Sequence, residues 1–393
     1  MTALAKASAM PFRSALTTLA EPDLSGNEAR YLQECIATNQ VSSVGPFVSR
    51  FENAVAAASE LPHAVATSSG TAALHVALVA LGVTSGDLVV VPSYTFIASA
   101  NAVHLCGATP WLFDVEARFL TLDVDLLREE FRRHVAMRSG HAVHTPTGRR
   151  VAAILPVHAL GIPADLDAIA ELAARYRLPV VADGAAALGA TVGGRAVTKA
   201  ATLTALSFNG NKTITSGGGG AVVGADPALI GLVRSLSTTA RAGDAYEHER
   251  AAFNYRMTNV EAAIGCAQIE RLEHFLAAKR DVATAYHVAA EGRAETALLG
   301  DPPWGASAHW MNAVMVEPER QERVLDRLSA SGIGARRFWR PLHWQPPYRD
   351  APRTTMEHSE DAWRRVVALP SSTSLTDSER AFLAEHLRSA LGP

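Results

Sequence analysis

The chain contains 393 residues, 48% of them hydrophobic, and carries a formal net charge of −3. It is long enough to bury a large core divided between two regions, and it lacks the long basic runs expected of a nucleic-acid-binding protein. No apolar stretch approaches the ~18–20 residues of a membrane span, and Cys35, Cys106 and Cys266 show no metal-ligand spacing. We therefore expect a soluble protein with no metal, membrane or nucleic-acid partner. An odd number of scattered cysteines fits a reducing compartment, so we expect it to be cytoplasmic.

The first two thirds of the chain predict an extension followed by a large domain. Residues 1–20 form the predicted N-terminal extension, because its first 13 residues are small and alanine-rich. Short apolar runs then alternate with helical patterns, which is typical of a mostly parallel sheet covered by helices on both faces. The predicted strands are 88–91, 111–113, 151–157, 180–182, 203–208 and 221–223. We assign residues 21–270 to this large domain.

The rest of the chain predicts a small C-terminal α/β domain, residues 271–393. One long helix over 259–287 leads into it, because its apolar residues recur at helical spacing. A strand over 310–316, a helix over 319–331 and a strand over 335–339 follow, with Gly332 and Gly334 in the last turn. The predicted fold class is therefore α/β.

An anion site is predicted where the segment beginning at His63 runs into Ser68-Ser69-Gly70-Thr71. The next residues show helical spacing of leucines and stop at Gly82. The free backbone N–H groups at the start of a helix, together with its dipole, favour a phosphate group. The signal is weak alone, since many α/β turns contain Ser-Gly-Thr.

A carboxylate is predicted at the end of a buried strand. The run Leu178-Pro-Val-Val-Ala-Asp183 ends in an acid followed by glycine. Ligands of open α/β sheets bind at the carboxyl ends of the strands. Asp183 either contacts such a ligand or caps the next helix.

Lys212 follows an apolar run and stands just before four consecutive glycines, 217–220. A lysine in a partly dry pocket is a nucleophile, and glycines allow the backbone to pack closely around a planar cofactor. A surface lysine beside a flexible loop is the alternative. A phosphate site, an acid and a lysine in this chain order together indicate a site for pyridoxal phosphate (PLP). An acid paired with the pyridine nitrogen keeps the ring protonated, so that it can accept electrons.

These and further motifs resemble PLP-dependent nucleotide-sugar aminotransferases of the DegT/DnrJ family. The motifs are Val44-Gly-Pro-Phe-Val48, Ser69-Gly-Thr-Ala-Ala-Leu74, Pro92-Ser-Tyr-Thr-Phe96, Pro156-Val-His158, Ser207-Phe-Asn-Gly-Asn-Lys212, Asn254-Tyr-Arg-Met257 and Arg340-Pro-Leu-His343. The resemblance covers residues 21–348. It implies the aspartate-aminotransferase-like fold, PLP-dependent transferase fold type I, with a mostly parallel sheet in the large domain.

The resemblance also implies roles for individual residues. Lys212 and Asp183 are the expected catalytic residues: the lysine holds PLP and moves a proton, and the aspartate pairs with the pyridine nitrogen. The other expected cofactor-binding residues are Ser69, Gly70, Thr71, Phe96, Ser207 and Asn254. Phe96 would stack on the ring, although an aromatic residue there fits the core equally well. Asn254 matches a position that reaches the phosphate across a dimer interface, which implies a homodimer with shared sites.

Four residues match segments that line the sugar-nucleotide site of the family: Val44, Gly45, His158 and His343. A lone histidine at a strand end is more often structural. The family usually carries Gln or Glu three residues after the ring acid, where it contacts the phenolic oxygen of the cofactor or the sugar. This chain has Ala186, whose methyl group makes no hydrogen bond.

The implied reaction moves an amino group from an amino acid, with L-glutamate as the expected donor, to C4 of a nucleotide-linked 4-keto-6-deoxy-N-acetylhexosamine in polysaccharide biosynthesis. Alternatives are amination at C3, amination of a non-acetylated keto sugar, and a regulatory homologue without catalysis. A sugar dehydratase of the same fold would carry histidine in place of Lys212.

Overall fold

The computed structural model describes residues 17–243, 246–293 and 295–392, so most of the predicted extension lies outside the described residues. The helices are α1 Glu28–Ala37, α2 Pro46–Ala58, α3 Gly70–Ala80, α4 Ala98–Leu105, α5 Val124–His134, α6 Leu166–Arg175, α7 Pro227–Ser237, α8 Asn259–Ile269, α9 Leu272–Ala290, α10 Pro318–Ala330, α11 Glu357–Arg365 and α12 Asp377–Leu391. The strands are β1 His63–Thr67, β2 Leu88–Pro92, β3 Thr109–Phe113, β4 Val135–Arg138, β5 His141–His144, β6 Arg149–Ile154, β7 Val181–Asp183, β8 Thr191–Val192, β9 Arg195–Ala196, β10 Leu203–Ser207, β11 Gly220–Gly224, β12 Arg241–Ala242, β13 Glu247–His248, β14 Ala297–Leu298, β15 Gly305–Ala306, β16 Asn312–Met315 and β17 Val366–Leu369.

The central sheet has the order β1-β11-β10-β7-β6-β2-β3. Two groups of strands, β1-β11-β10-β7 and β3-β2-β6-β5-β4, are joined by parallel bridges from Ile154 to Val180 and from Val157 to Asp183. The antiparallel hairpin β4-β5 pairs with the first residues of β6 and extends the sheet there. β7 pairs in parallel with β10, and β2 pairs in parallel with β3 and β6, whereas β11 runs antiparallel to both of its neighbours. The prediction of a mostly parallel sheet is confirmed, and the carboxyl ends of its parallel strands meet along one edge.

Helices cover both faces of this sheet. Alternate residues of β2 pack on opposite sides, since Leu88 and Val90 belong to one buried apolar cluster and Val89 and Val91 to another. The first cluster includes α2 and α8, and the second includes α3 and α7. Strands that are buried on both faces have continuous apolar runs, which is why the sequence predicted them well.

The C-terminal part is built on a second, antiparallel sheet with the order β14-β16-β17. Its core joins Tyr286, Val314, Leu328 and Leu387 from α9, β16, α10 and α12. Asp114, just after β3, fastens α11 to the large part by accepting the N–H and Oγ–H of Ser359 at 2.7 and 2.6 Å. The predicted boundary between residues 270 and 271 stays a prediction.

The single helix predicted over 259–287 is wrong. The structure has α8 and α9 with a break at Glu270 and Arg271. Both residues are good helix formers, so the sequence gives no sign of the break. The Glu270 carboxylate there accepts the Tyr31 hydroxyl at 2.6 Å and pairs with Arg50 at 2.6 Å, which fixes α8 against α1 and α2.

The strand predicted over 335–339 is also wrong. Only Arg336 bridges to Ala368 of β17. The adjacent rings of Phe338 and Trp339 stack with an interplanar angle of 8°. Successive side chains of a strand point to opposite faces, so two stacked neighbours are incompatible with one. The segment instead turns its rings toward the cavity described below.

In the three described segments, no helix combines the length and apolarity needed to cross a membrane.

Candidate active site

A cavity of about 480 Å³ lies where the parallel strands of the central sheet end. Most of the sequence-predicted site residues line it: Ser69, Gly70, Thr71, Phe96, His158, Asp183, Ser207 and Lys212. The sheet topology explains the grouping, because β1, β7 and β10 all deliver their last residues to the same edge.

One end of the cavity is a turn of closely packed backbone. Ser69 caps α3 by accepting the N–H of Ala72 at 3.0 Å, so the first-turn N–H groups of Gly70 and Thr71 have no partner within the helix. A Cβ on Gly70 would lie 2.8 Å from the Cβ of Ser207. The start of α3 can therefore approach the end of β10 this closely because residue 70 is glycine. The arrangement suits a phosphate group.

Asp183 lies on the sheet side of the cavity and is buried. Its Oδ2 accepts the hydroxyl of Ser99 at 2.7 Å, and its Oδ1 accepts the N–H of Ala185 at 3.1 Å. Burial raises the pKa of the Asp183 carboxyl, while these two hydrogen bonds and the charge of Lys212 oppose the shift. Asp183 does not act as a helix cap, since α6 ends before it and no helix begins at residue 184.

Lys212 approaches the same cavity from the segment after β10. Its N–H donates to the carbonyl of Asn209 at 2.9 Å, which bends the chain after Phe208 and presents the side chain to the cavity. The amine Nζ lies over the Trp310 ring, 4.0 Å from the centroid. Burial lowers the pKa of the amine to about 8, against the opposing effect of the Asp183 charge. About a tenth of the amine is therefore uncharged at pH 7, far more than for a lysine with an ordinary pKa.

Aromatic rings form the wall opposite the sheet. Trp310 stacks on Trp339 with an interplanar angle of 15°, and Trp339 stacks on Phe338. The Tyr94 hydroxyl donates to the carbonyl of Phe338 and holds that segment in place. All three stacked residues line the cavity, whereas Phe96, which also lines it, is 59% exposed. The wall offers planar apolar surface to a ligand ring.

His158 forms part of the cavity floor and is 1% exposed. Its Nδ1 accepts the N–H of Ala164 at 3.0 Å, which places the ring proton on Nε2. Burial lowers the pKa of the ring to about 3, so the side chain is neutral at physiological pH. Nε2 has no hydrogen-bond partner among the described residues.

Four predicted site residues lie away from this cavity as the described residues form it: Val44, Gly45, Asn254 and His343. Val44 and Asn254 are exposed. A Cβ on Gly45 would lie 2.3 Å from the side chain of Asn259, so this glycine allows α2 to approach α8. The roles predicted for these residues stay predictions.

His343 links the end of β2 to the C-terminal part. Its Nδ1 lies 2.7 Å from the Ser93 hydroxyl, and its Nε2 lies 3.2 Å from the Glu360 carboxylate. Burial lowers the pKa of the ring, and the adjacent Glu360 opposes that shift.

Ala186 lines the cavity three residues after Asp183, as its spacing predicts. The sequence alone does not indicate three further residues that line the cavity, Thr95, Trp310 and Trp339, or Ser99, which bonds Asp183. Thr95 and Ser99 flank the motif residue Phe96, so a search for hydroxyls beside motif positions would have found them. Trp310 and Trp339 lie far along the chain in the C-terminal part, and only the fold brings them to the cavity.

Residues 22–388 match the profile of the DegT/DnrJ/EryC1/StrS aminotransferase family. The chain belongs to this family. It is 38% identical over 378 residues to the GDP-perosamine synthase of Caulobacter vibrioides, with 92% of this chain and 95% of that protein covered. It is 35% identical to the GDP-perosamine synthase of Vibrio cholerae, with coverages of 91% and 95%. Its structure is similar to that of DesV from S. venezuelae, with a TM-score of 0.84, 30% identity and coverages of 93% and 95%.

The family member described here is a PLP-dependent sugar aminotransferase with the fold of PLP-dependent transferases of type I. The cavity fits this cofactor on its own geometry. A glycine-lined helix N-terminus lies at one end, and an amine of lowered pKa and a buried carboxylate face the remaining space. The fold and the cofactor expected from the sequence are thereby confirmed.

Proposed function

We propose that this enzyme transfers an amino group from L-glutamate to C4 of a nucleotide-linked 4-keto-6-deoxy sugar. The observation that carries the proposal is the meeting of Lys212 and Asp183 on one cavity that ends in the first turn of α3. An amine, a carboxylate and an anion site in this order match the reactive aldehyde, the ring nitrogen and the phosphate of PLP.

Each of these residues has a distinct part in holding the cofactor. Gly70 and Thr71 would donate backbone N–H groups to the phosphate, and Ser207 would donate its hydroxyl. Lys212 would form the covalent link through Nζ. Asp183 would accept the N–H of the pyridine ring, which retains the proton there. When bound, PLP supplies an electron-accepting ring that carries the amino group between donor and acceptor.

Lys212 has a second part once the substrate amine has replaced it. Its Nζ would accept and return a proton beside the reacting carbon, a task that requires a pKa near the working pH. The lowered pKa of about 8 suits both directions of transfer. The stacked rings of Trp310 and Trp339 exclude water from that side of the cavity.

The identity of the acceptor sugar depends on evidence from relatives. The sequence predicts an N-acetylated hexosamine, with a non-acetylated keto sugar as an alternative. Two relatives that share more than a third of their residues with this chain are named for GDP-perosamine, a 4-amino sugar without an N-acetyl group. We therefore favour a GDP-linked, non-acetylated 4-keto-6-deoxyhexose, and the N-acetylated sugar becomes its competitor in the test below.

A homodimer in the cytoplasm completes the proposal. Asn254 is exposed and does not line the cavity formed by the described residues of its own chain. An exposed residue is free to reach the phosphate in a second copy, which supports the shared site implied by the sequence. The three cysteines are free, and this supports a reducing compartment.

The deciding experiment is the second half-reaction. The enzyme is loaded with pyridoxamine phosphate and mixed with single keto sugars: a GDP-linked 4-keto-6-deoxyhexose, a UDP-linked 4-keto-6-deoxy-N-acetylhexosamine, a dTDP-linked 4-keto sugar and a 3-keto isomer. Return of visible absorption reports transfer. We expect the GDP-linked 4-keto sugar to react fastest. A preference for the 3-keto isomer, or no reaction with any 4-keto sugar, would contradict the proposal.

The donor is tested in the opposite half-reaction. L-Glutamate should bleach the visible absorption of the PLP-loaded enzyme faster than L-aspartate or L-alanine. Lys199→Ala is the matched control for any effect of removing a lysine, because Lys199 pairs with Glu60 on the surface at 3.2 Å. This variant should behave like the wild type in both half-reactions.

A further inference from the structure

A buried row of hydroxyl groups lies behind Asp183. The Ser99 Oγ is 2.7 Å from Asp183 Oδ2, and the Thr95 Oγ1 is 3.1 Å from the Ser99 Oγ. Ser99 is 0% and Thr95 2% exposed. Ser99 is the second residue of α4, and Thr95 lies in the turn between β2 and α4. The row therefore connects the end of β2 to the carboxylate at the end of β7.

The direction of these hydrogen bonds follows from proton counting. The Ser99 hydroxyl has one proton and three possible acceptors: Asp183 Oδ2 at 2.7 Å, the Thr95 Oγ1 at 3.1 Å and the carbonyl oxygen of Phe96 at 3.3 Å. The shorter bond to a carboxylate is the stronger one, so the proton points to Asp183. Ser99 then accepts the proton of Thr95. The row runs from Thr95 through Ser99 to Asp183.

Few titratable groups near Asp183 affect whether its carboxyl is ionised. Lys212 is the charged group that acts on it, and the adjacent strand end brings His158, whose ring is neutral. The side chains of β10, which pairs with β7, do not titrate. The two helices on this face carry His75 in α3 and His104 in α4. Neither histidine forms a hydrogen bond with the Asp183 carboxylate.

Two neutral donors consequently offset much of the cost of burying a charge. One is the N–H of Ala185, which the backbone supplies whatever the side chain. The other is the Ser99 hydroxyl, which a single substitution removes. A hydrogen bond to a charged group is among the stronger ones in proteins.

We propose that Ser99, oriented by Thr95, is a positioning residue that fixes the Asp183 carboxylate and keeps it ionised against the pyridine nitrogen of the cofactor. The proposal rests on the role proposed above for Asp183. Without Ser99, the proton shared by the carboxyl and the ring nitrogen shifts toward the carboxyl. The ring then loses positive charge and accepts electrons less well.

The chain offers a matched control for this substitution. Ser359 is also 0% exposed, and its hydroxyl donates to a buried carboxylate, Asp114 Oδ1, at 2.6 Å. Asp114 and Ser359 do not line the cavity in the described structure. Ser359→Ala therefore removes the same kind of hydrogen bond at a site outside the cavity.

The first measurement uses enzyme loaded with PLP labelled with 15N in the ring. Protonated and neutral pyridine nitrogens differ widely in chemical shift. We expect Ser99→Ala to move the resonance toward the neutral position, Ser99→Thr to restore it, and Ser359→Ala to leave it unchanged. A Ser99→Ala resonance at the wild-type position would overturn the proposal.

The second measurement needs no cofactor and covers a Ser99→Ala variant that fails to load. The carboxyl 13C of Asp183 is titrated in the cofactor-free protein and assigned with Asp183→Asn. Loss of the hydroxyl should raise the titration midpoint by about one pH unit or more, since a bond to a charged group has at least that strength. An unchanged midpoint would exclude the role of Ser99.

The two measurements also separate this inference from the proposed function. A raised midpoint with an unchanged 15N resonance would mean that Ser99 acts on Asp183 but that Asp183 does not hold the ring nitrogen. That result would overturn the proposal as stated and the proposed role of Asp183 together. A variant that does not fold is replaced by Thr95→Val, which removes the hydroxyl that orients Ser99 and should move the midpoint of the cofactor-free protein in the same direction by less.

Discussion

The amine of Lys212 lies 4.0 Å from the centre of the Trp310 ring, and the indole Nε1–H of Trp310 donates to the carbonyl of Asn211 at 2.7 Å. One indole thus contacts the amine of Lys212 and also holds the residue before it. The ring face favours the protonated amine, whereas burial favours the neutral amine. Burial lowers the pKa of the amine to about 8, and the charge of Asp183 opposes that shift.

The rate of cofactor uptake should depend on pH in a predictable direction. Only the neutral amine attacks an aldehyde, and its fraction falls about tenfold per pH unit below the pKa. The rate at which cofactor-free enzyme develops visible absorption with PLP should rise with pH up to about 8 and then level off. A rate that still rises steeply well above that pH would show an amine with an ordinary pKa.

Lys212→Ala should abolish turnover and the covalent link while the fold remains. The lost proton transfer alone accounts for roughly 10²–10⁴ in rate. Borohydride reduction followed by mass spectrometry should find the cofactor attached to Lys212 in the wild type and nowhere in the variant. Circular dichroism checks the fold. Near-normal transamination by the variant would refute the assignment.

Asp183→Asn keeps the shape of the side chain but removes its charge. The amino-transfer half-reaction should slow strongly, with only a modest change in donor binding, and stopped-flow absorbance separates the two effects. Asp114→Asn is the control, because it changes a buried carboxylate outside the cavity. It should lower the melting temperature and leave the half-reaction rate intact. Equal rates for Asp183→Asn and wild type would count against a role at the ring nitrogen.

Gly220→Ala should weaken cofactor binding through the backbone. A Cβ there would lie 2.5 Å from the Ser69 carbonyl oxygen and 2.7 Å from the Gly70 nitrogen, so the anion-binding turn must shift. Gly231→Ala is the comparison, because its Cβ meets nothing within 4 Å on α7. That change should stabilise the protein by about 0.5–1 kcal/mol. Equilibrium titration with PLP and thermal melting measure both; unaltered affinity in Gly220→Ala would argue against the turn as the phosphate site.

Mixing two inactive variants tests the shared site. If Asn254 serves the other copy, Lys212→Ala and Asn254→Ala subunits form heterodimers in which one pocket carries both defects and the other carries neither. Activity should then return after subunit exchange. Mass spectrometry of the intact dimer confirms the exchange. Exchanged samples that stay inactive would place Asn254 in its own pocket or outside any site.

The sequence predicted most of the large sheet and much of the site, for a physical reason. Strands buried on both faces, such as β2, are uninterrupted apolar runs, and glycine-rich turns with an acid or a lysine stand at their ends. The sequence indicates Lys212, Asp183 and Gly70 because a lysine, an acid or a glycine-rich turn stands out directly after an apolar run. The composition of β11 does not indicate that this strand runs antiparallel to its two neighbours.

The rest depends on contacts between distant segments. The break at Glu270 follows from partners more than 200 positions earlier in the chain. Aromatic residues such as Trp339 favour strands, which fits the predicted strand over 335–339, whereas in the structure its ring stacks on Trp310. The sequence does not distinguish Ser99 from other small residues of a helix. Its hydrogen bond to the Asp183 carboxylate exists only because β2 and β7 lie close together in the fold.

The aromatic wall has a consequence for how the enzyme is made. Gly70, Asp183 and Lys212 leave the ribosome well before Trp310 and Trp339, and Lys279, whose amine holds the Trp310 carbonyl and that of Ser371, finds its second partner later still. Until the segments of Trp310 and Trp339 have been made, one side of the cavity is open, and the burial that lowers the pKa of the Lys212 amine is incomplete. Stable binding of PLP therefore requires that translation is almost complete.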